Sequence, residues 1–147
     1  MPGILVGVDG SEHSRRALSW AMRQAAQEHV PLTVLTVRPD PVRPATEIYW
    51  GVHEYPEDSH NLEVTRNAVA EIVDKVATEM GETAPEVTVN AIHGDPAQEL
   101  VKASNDFDMI VVGSRGNGGW VDLLIGSVST KVAHRAACPV VIIRPVR

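Results

Sequence analysis

Apolar residues in this chain gather into short runs, and the stretches between them carry a helical period. "ILVGV" (Ile4 to Val8) is rich in β-branched residues and ends at Asp9-Gly10-Ser11, which reads as a turn followed by a helix start. From Glu12 to His29, Ala17, Trp20, Ala21 and Ala25 recur at helical spacing, and Pro31 is expected to end that helix. "LTVLTV" (Leu32 to Val37) reads as a second strand. Arg38 to Pro56 is proline-rich and has no period, so it is expected to be a long loop. A second helix is expected from Glu57, capped by Asp58 or Ser59. Val69, Ile72, Val73, Val76 and Met80 form its apolar face, and Gly81 stops it.

The remaining pattern repeats the alternation. "EVTVNAI" (Glu86 to Ile92) is a third strand. Asp95 is a good N-cap, Pro96 suits the first helical position, and Gln98 completes a capping-box spacing for a short third helix. "FDMIVVG" (Phe107 to Gly113) is a fourth strand, Ser127 to Ala137 a fourth helix, and "PVVIIRPV" (Pro139 to Val146) a fifth strand. Strands that are apolar throughout suit a parallel sheet covered on both faces. Right-handed crossovers then give an open, doubly wound α/β sheet, which binds ligands beyond the C-terminal ends of its strands. Asp9, Val37 and Gly113 sit at or near such ends.

Composition narrows the function. The chain has 147 residues and no second composition regime, so one domain over 1–147 is expected. A formal charge of −6 argues against a general nucleic-acid or membrane-surface role. No basic segment precedes the first apolar run, and no apolar run is long enough to span a bilayer, so a cytoplasmic location is expected. Cys138 is the single cysteine, placed at a helix–strand junction and expected to be an inert core thiol. The histidines form no HExxH spacing. His53 and His60 lie in or beside the long loop, and His93 precedes the Gly94-Asp95-Pro96 turn on the expected ligand face.

Chemistry concentrates between Val111 and Val132, "VVGSRGNGGWVDLLIGSVSTKV". It contains no GxxxxGK[ST], no GxGxxG and no GxSxG, which sets aside a Walker loop, a dinucleotide fingerprint and a nucleophile elbow. It does contain Gly-x2-Gly-x9-Gly-Ser at Gly113, Gly116, Gly126 and Ser127. The first two glycines permit close backbone approach at a strand end. Gly126-Ser127 opens a helix, where free N–H groups and the helix dipole favour an anion, with hydroxyls from Ser127 and Ser129 nearby. Two readings stay open here: a phosphate cradle, or a pair of tight structural corners. No Ser-His-Asp set, acid pair or activated cysteine is visible, so no dedicated catalytic apparatus is expected.

That glycine motif, the opening "ILVGVDGSEHSRRAL" and the closing "AACPVVIIRP" resemble the universal stress protein family, and specifically its ATP-binding branch. The resemblance covers nearly the whole chain. It implies a Rossmann-like fold of the adenine nucleotide alpha hydrolase type, with sheet order 3-2-1-4-5. It also implies a site for ATP with Mg2+. Asp9, between Val8 and Gly10, would meet ribose or the metal–phosphate region, contacting metal only through Mg-ATP. The Val37 backbone would meet adenine. Val112, Gly113, Arg115 and Gly116 would form the first glycine corner, and Gly126, Ser127, Val128 and Ser129 the phosphate-binding helix start. Gly118-Gly119-Trp120 is a bulky departure in a region that varies within the family. In the implied sheet order the last strand is an apolar edge, so a homodimer pairing Val140 to Arg144 is expected. The function expected is a nucleotide-dependent stress or signalling module that engages a client protein. The alternatives are a dimeric interaction module without nucleotide, a slow ATPase, or a cyclic AMP binder.

Overall fold

The computed structural model describes residues 2–39, 61–114 and 126–144. Their elements alternate along the chain: β1 (Ile4–Gly7), α1 (Glu12–Glu28), β2 (Leu32–Arg38), α2 (Leu62–Met80), β3 (Val87–His93), α3 (Pro96–Ala103), β4 (Met109–Gly113), α4 (Ser127–Arg135) and β5 (Val140–Ile143). The five strands form one sheet in the order β3-β2-β1-β4-β5, and every neighbouring pair is parallel. The order implied by the family resemblance is the one observed.

Strand alternation splits the apolar side chains into two layers. Ile4, Val6, Val34 and Val111 face one side of the sheet, where α1 contributes Leu18, Ala21 and Met22 and α2 contributes Val69 and Val73. Leu5, Leu35, Ile110 and Val112 face the other, against Leu100 of α3 and Val132 of α4. Alanines on α1 let that helix approach closely, and Ala17, Ala21 and Ala25 are fully buried. The central strands β1 and β4 are sealed on both faces, so truncating a core residue such as Leu5 would cost about 2–5 kcal/mol.

Several boundaries differ from the sequence expectation. The expected start of α2 at Glu57, with Asp58 or Ser59 as cap, is replaced by a start at Leu62, where Asn61 Oδ1 accepts from the N–H groups of Glu63 and Val64. Gly81 stops that helix as expected, at φ 67°. His29 ends α1 in the left-handed region at φ 58°, two residues before Pro31, and its N–H returns to the carbonyls of Ala25 and Ala26. β4 begins at Met109 because a 3-10 turn, Ser104–Asp106, precedes it and Asp108 is occupied with Gly3, whose N–H reaches its carboxylate. α4 ends at Arg135 and β5 spans Val140–Ile143. The long 38–56 segment lies largely outside the described residues, as do His53, His60 and Trp120. Among the described residues no helix is long and apolar enough to cross a membrane.

Candidate functional site

The winding of the sheet reverses between β1 and β4, and the chain leaves both strands in opposite directions at their C-terminal ends. That divergence opens a cavity of about 600 Å³. Its apolar wall is built by Leu35 and Val37 from β2, Val112 from β4, Pro96 and Leu100 from α3, and Val128 from α4. Its polar wall is built by Asp9, Ser114, Gly126, Ser127 and Ser129. An apolar wall beside a polar rim suits a ligand with one apolar and one polar end.

The β1 exit is tightly organised. The Asp9 N–H donates to Ser14 Oγ at 3.3 Å, and Asp9 Oδ1 accepts from the Ser11 N–H at 2.9 Å. Ser14 Oγ in turn donates to the Ser11 carbonyl at 3.0 Å. Ser14 is buried, so this bond network fixes Asp9 at the cavity mouth. Gly10 holds φ 88°, which lets the chain turn from β1 into α1. An Asx-turn and a place on the cavity wall coexist at Asp9, because the turn orients the carboxylate.

The β4 exit works differently. Ser114 is buried, and its N–H donates to the Ile143 carbonyl at 2.9 Å. Its carbonyl accepts from the Gly126 N–H and from Ser129 Oγ, the latter at 3.2 Å. The chain therefore leaves at Ser114 and re-enters at Gly126 beside the same atom. Gly126 is the N-cap of α4 at φ −64° and ψ 164°, and no described side chain caps that helix. The other three described α-helices start on side-chain caps: Ser11, Asn61 and Asp95. Only α4 among the described helices opens onto the cavity with its first-turn N–H groups uncapped, which is the arrangement that suits an anion.

The single charged side chain among the described lining residues is Asp9. An anion bound there would meet backbone N–H groups, serine hydroxyls and one carboxylate, a donor set that a hard divalent cation complements. Among the described residues no group of three His, Cys, Asp or Glu side chains could hold a metal ion. Cys138 lies outside the cavity; burial first, and then the Asp108 charge, push its thiol above the usual range, while a backbone hydrogen bond at Ile110 opposes them. The thiol is therefore held in its unreactive form.

Of the residues expected from the sequence, Val8, Asp9, Val37, Val112, Gly113, Gly126, Ser127, Val128 and Ser129 line the cavity. Gly10 shapes the turn behind it without lining it, and Arg115 and Gly116 lie outside the described residues. His93 ends β3 opposite Arg38 and does not line the cavity. Gly7, Ser14, Leu35, Pro39, Pro96, Leu100 and Ser114 also line it and were not expected. Two of these had a readable signal. Leu35 is two residues before Val37 on the same strand face, and Leu100 is one helical turn past Pro96.

The model of the universal stress protein family matches residues 2–144. A universal stress protein of Mycobacterium bovis, Mb2028c, is 36% identical over 96% of this chain and 47% of its own length. The chain thus spans about half the length of such curated relatives, whereas the universal stress protein YxiE of Bacillus subtilis, 35% identical, is covered to 97%. A universal stress protein solved in complex with cAMP superposes at a TM-score of 0.65 with 27% identity, over 97% of this chain and 95% of that one. Strand order, a cavity at the β1/β4 divergence and a family match over almost every residue agree, and the chain belongs to the universal stress protein family.

Proposed function

We infer that this chain binds an adenine nucleotide, ATP with Mg2+, in the cavity between β1, β2 and β4, and acts as a nucleotide-dependent stress-response module. The observation that carries the reading is the pairing of an apolar slot at Leu35, Val37 and Val112 with the uncapped start of α4 at Gly126-Ser127. The slot takes the base, with the Val37 backbone at its edge. The α4 start and the hydroxyls of Ser127 and Ser129 take phosphate. Asp9 reaches the metal through the nucleotide's own Mg2+. Arg115 and Gly116 complete the phosphate corner. Mg2+ supplies charge neutralisation between phosphate and Asp9, and the chain's own groups bind and orient.

On this reading the module has no dedicated catalytic apparatus: Asp9, the one carboxylate in the described cavity wall, accepts from the Ser11 N–H in the turn after β1, and hydrolysis is incidental. It acts in the cytoplasm by presenting its nucleotide state to a client protein. It does so as a homodimer. β5 is a terminal strand of the sheet, and its four residues Val140–Ile143 are apolar and only half-buried. Pairing Val140–Arg144 across a two-fold axis covers that edge.

Isothermal titration of the nucleotide-free protein with Mg-ATP tests the reading, alongside mass spectrometry of small molecules released on denaturation. Micromolar binding, or ATP in the released fraction, supports it. No release and no binding would return the glycines to structural corners. A second reading, cyclic AMP as the ligand, is favoured by the relative solved with cAMP. Titration with cyclic AMP in the same series separates the two. Sedimentation at micromolar concentration tests the dimer, and a monomer would remove it.

A further inference from the structure

The sheet has two terminal strands, β3 and β5, and each turns alternate backbone groups outward. For β3 the outward set follows from the bonds to β2. The Leu32 N–H donates to the Glu86 carbonyl at 2.9 Å, and the Gly94 N–H donates to the Arg38 carbonyl at 2.8 Å. The register between them runs from Leu32↔Val87 to Arg38↔His93. In a parallel pair each inward residue is followed by an outward one. Even-numbered β3 residues therefore face β2, and Val87, Val89, Ala91 and His93 present their N–H and C=O groups to the free edge.

One of those groups is taken by a side chain from the helix above. Arg66 Nε donates to the Val89 carbonyl at 3.1 Å. Arg66, Val69 and Val73 share one face of α2 at i, i+3 and i+7. The two valines are buried against the sheet, and the arginine, exposed at the near end of that face, reaches past it to the strand. An added strand would lie about 4.8 Å from β3, the space a guanidinium bonded to Val89 occupies. We propose that Arg66 closes the β3 edge and so confines sheet-to-sheet assembly of this chain to its other edge. Without it, the outward groups from Val87 to His93 form a template for a strand from a second copy of this chain.

The test is Arg66→Met in the full chain, read by sedimentation velocity. Methionine keeps the length and helix preference while removing every donor. A thermal melt against the wild-type chain confirms the fold. The expected result is a weight-average mass about twofold or more above wild type that rises with concentration. Hydrogen exchange should show new protection at the Val89 and Ala91 amides. Adding Ala91→Pro, which deletes an outward N–H without touching the bonds to β2, should return the mass to the wild-type value. Arg66→Lys, which keeps the charge on a shorter reach, should fall between and carries the test if the methionine variant folds poorly. A mass equal to wild type would overturn the proposal. So would a larger mass with no protection on β3, which would mean that Arg66 only ties α2 to the sheet. Neither outcome depends on β5, because each variant is compared with whatever mass the wild-type chain shows.

Discussion

α3 and α4 both begin at the cavity, and they begin in opposite ways. α3 is closed by its own sequence: Asp95 Oδ2 accepts from the Gln98 N–H at 2.9 Å, and Pro96 has no N–H to satisfy. α4 starts from Gly126, which has no side chain to lend. The first helix has spent its N-terminal donors on local stability, and the second keeps them for something else. Two helix starts on the same cavity thus differ in their caps, one closed by an aspartate and one opened by a glycine.

Making α4 resemble α3 is the strongest way to erase that difference. Gly126 already sits at φ −64° and ψ 164°, a backbone that aspartate adopts as an N-cap. Gly126→Asp should therefore raise helix stability by a few tenths of a kcal/mol. Its carboxylate would occupy the donors and repel phosphate, and Mg-ATP affinity should fall by about 100-fold or more in calorimetric titration. Unchanged affinity would locate the anion site elsewhere.

Removing the divalent cation probes the same contrast less severely. With Asp9 the one charged group in the described wall, a chelator should weaken ATP by about tenfold and leave cyclic AMP, with its single charge, nearly unaffected. Equal loss for both nucleotides would argue that the cation shapes the protein itself. Asp95→Ala gives the smallest effect: it should cost about 1 kcal/mol in chemical denaturation, yet change nucleotide affinity by less than about threefold. A large affinity loss in that variant would mean that the two helix starts are not separate in function.

The same contrast explains what was legible in the sequence. Asp95-Pro96-x-Gln98 is a local signal, read correctly because the cap bonds a group three residues away. Gly126-Ser127 was legible as a helix start, but its role depends on Ser114, twelve residues earlier and across the cavity mouth. The order of strands and helices, and a parallel sheet covered on both faces, were readable because each needs only period and composition. The start of α2 was not. Asp58, Ser59 and Asn61 are equally good caps, and the choice among them requires Val69 and Val73 to meet the sheet in phase. The end of α1 was attributed to Pro31, whereas His29 in the left-handed region does it, a conformation that non-glycine residues announce poorly. Leu100 was missed because its place over Gly7, within 3.1 Å of where a Cβ would stand, is a contact between elements that are far apart in the chain.

Two hydrogen bonds on one carbonyl bear on how such a chain can change over generations. Gly126 N–H and Ser129 Oγ converge on the Ser114 carbonyl, so residues 115–125 depart from and return to a single clasped point. Strand β4 and helix α4 are held to each other by the clasp, so Val112 and Val128, one on each side of the cavity, keep their spacing through bonds made by Ser114, Gly126 and Ser129. Insertions, deletions or wholesale exchange of that segment can be sampled while the cavity behind it keeps its shape. The clasp separates what selection must keep, Ser114, Gly126 and Ser129, from what it can vary between them.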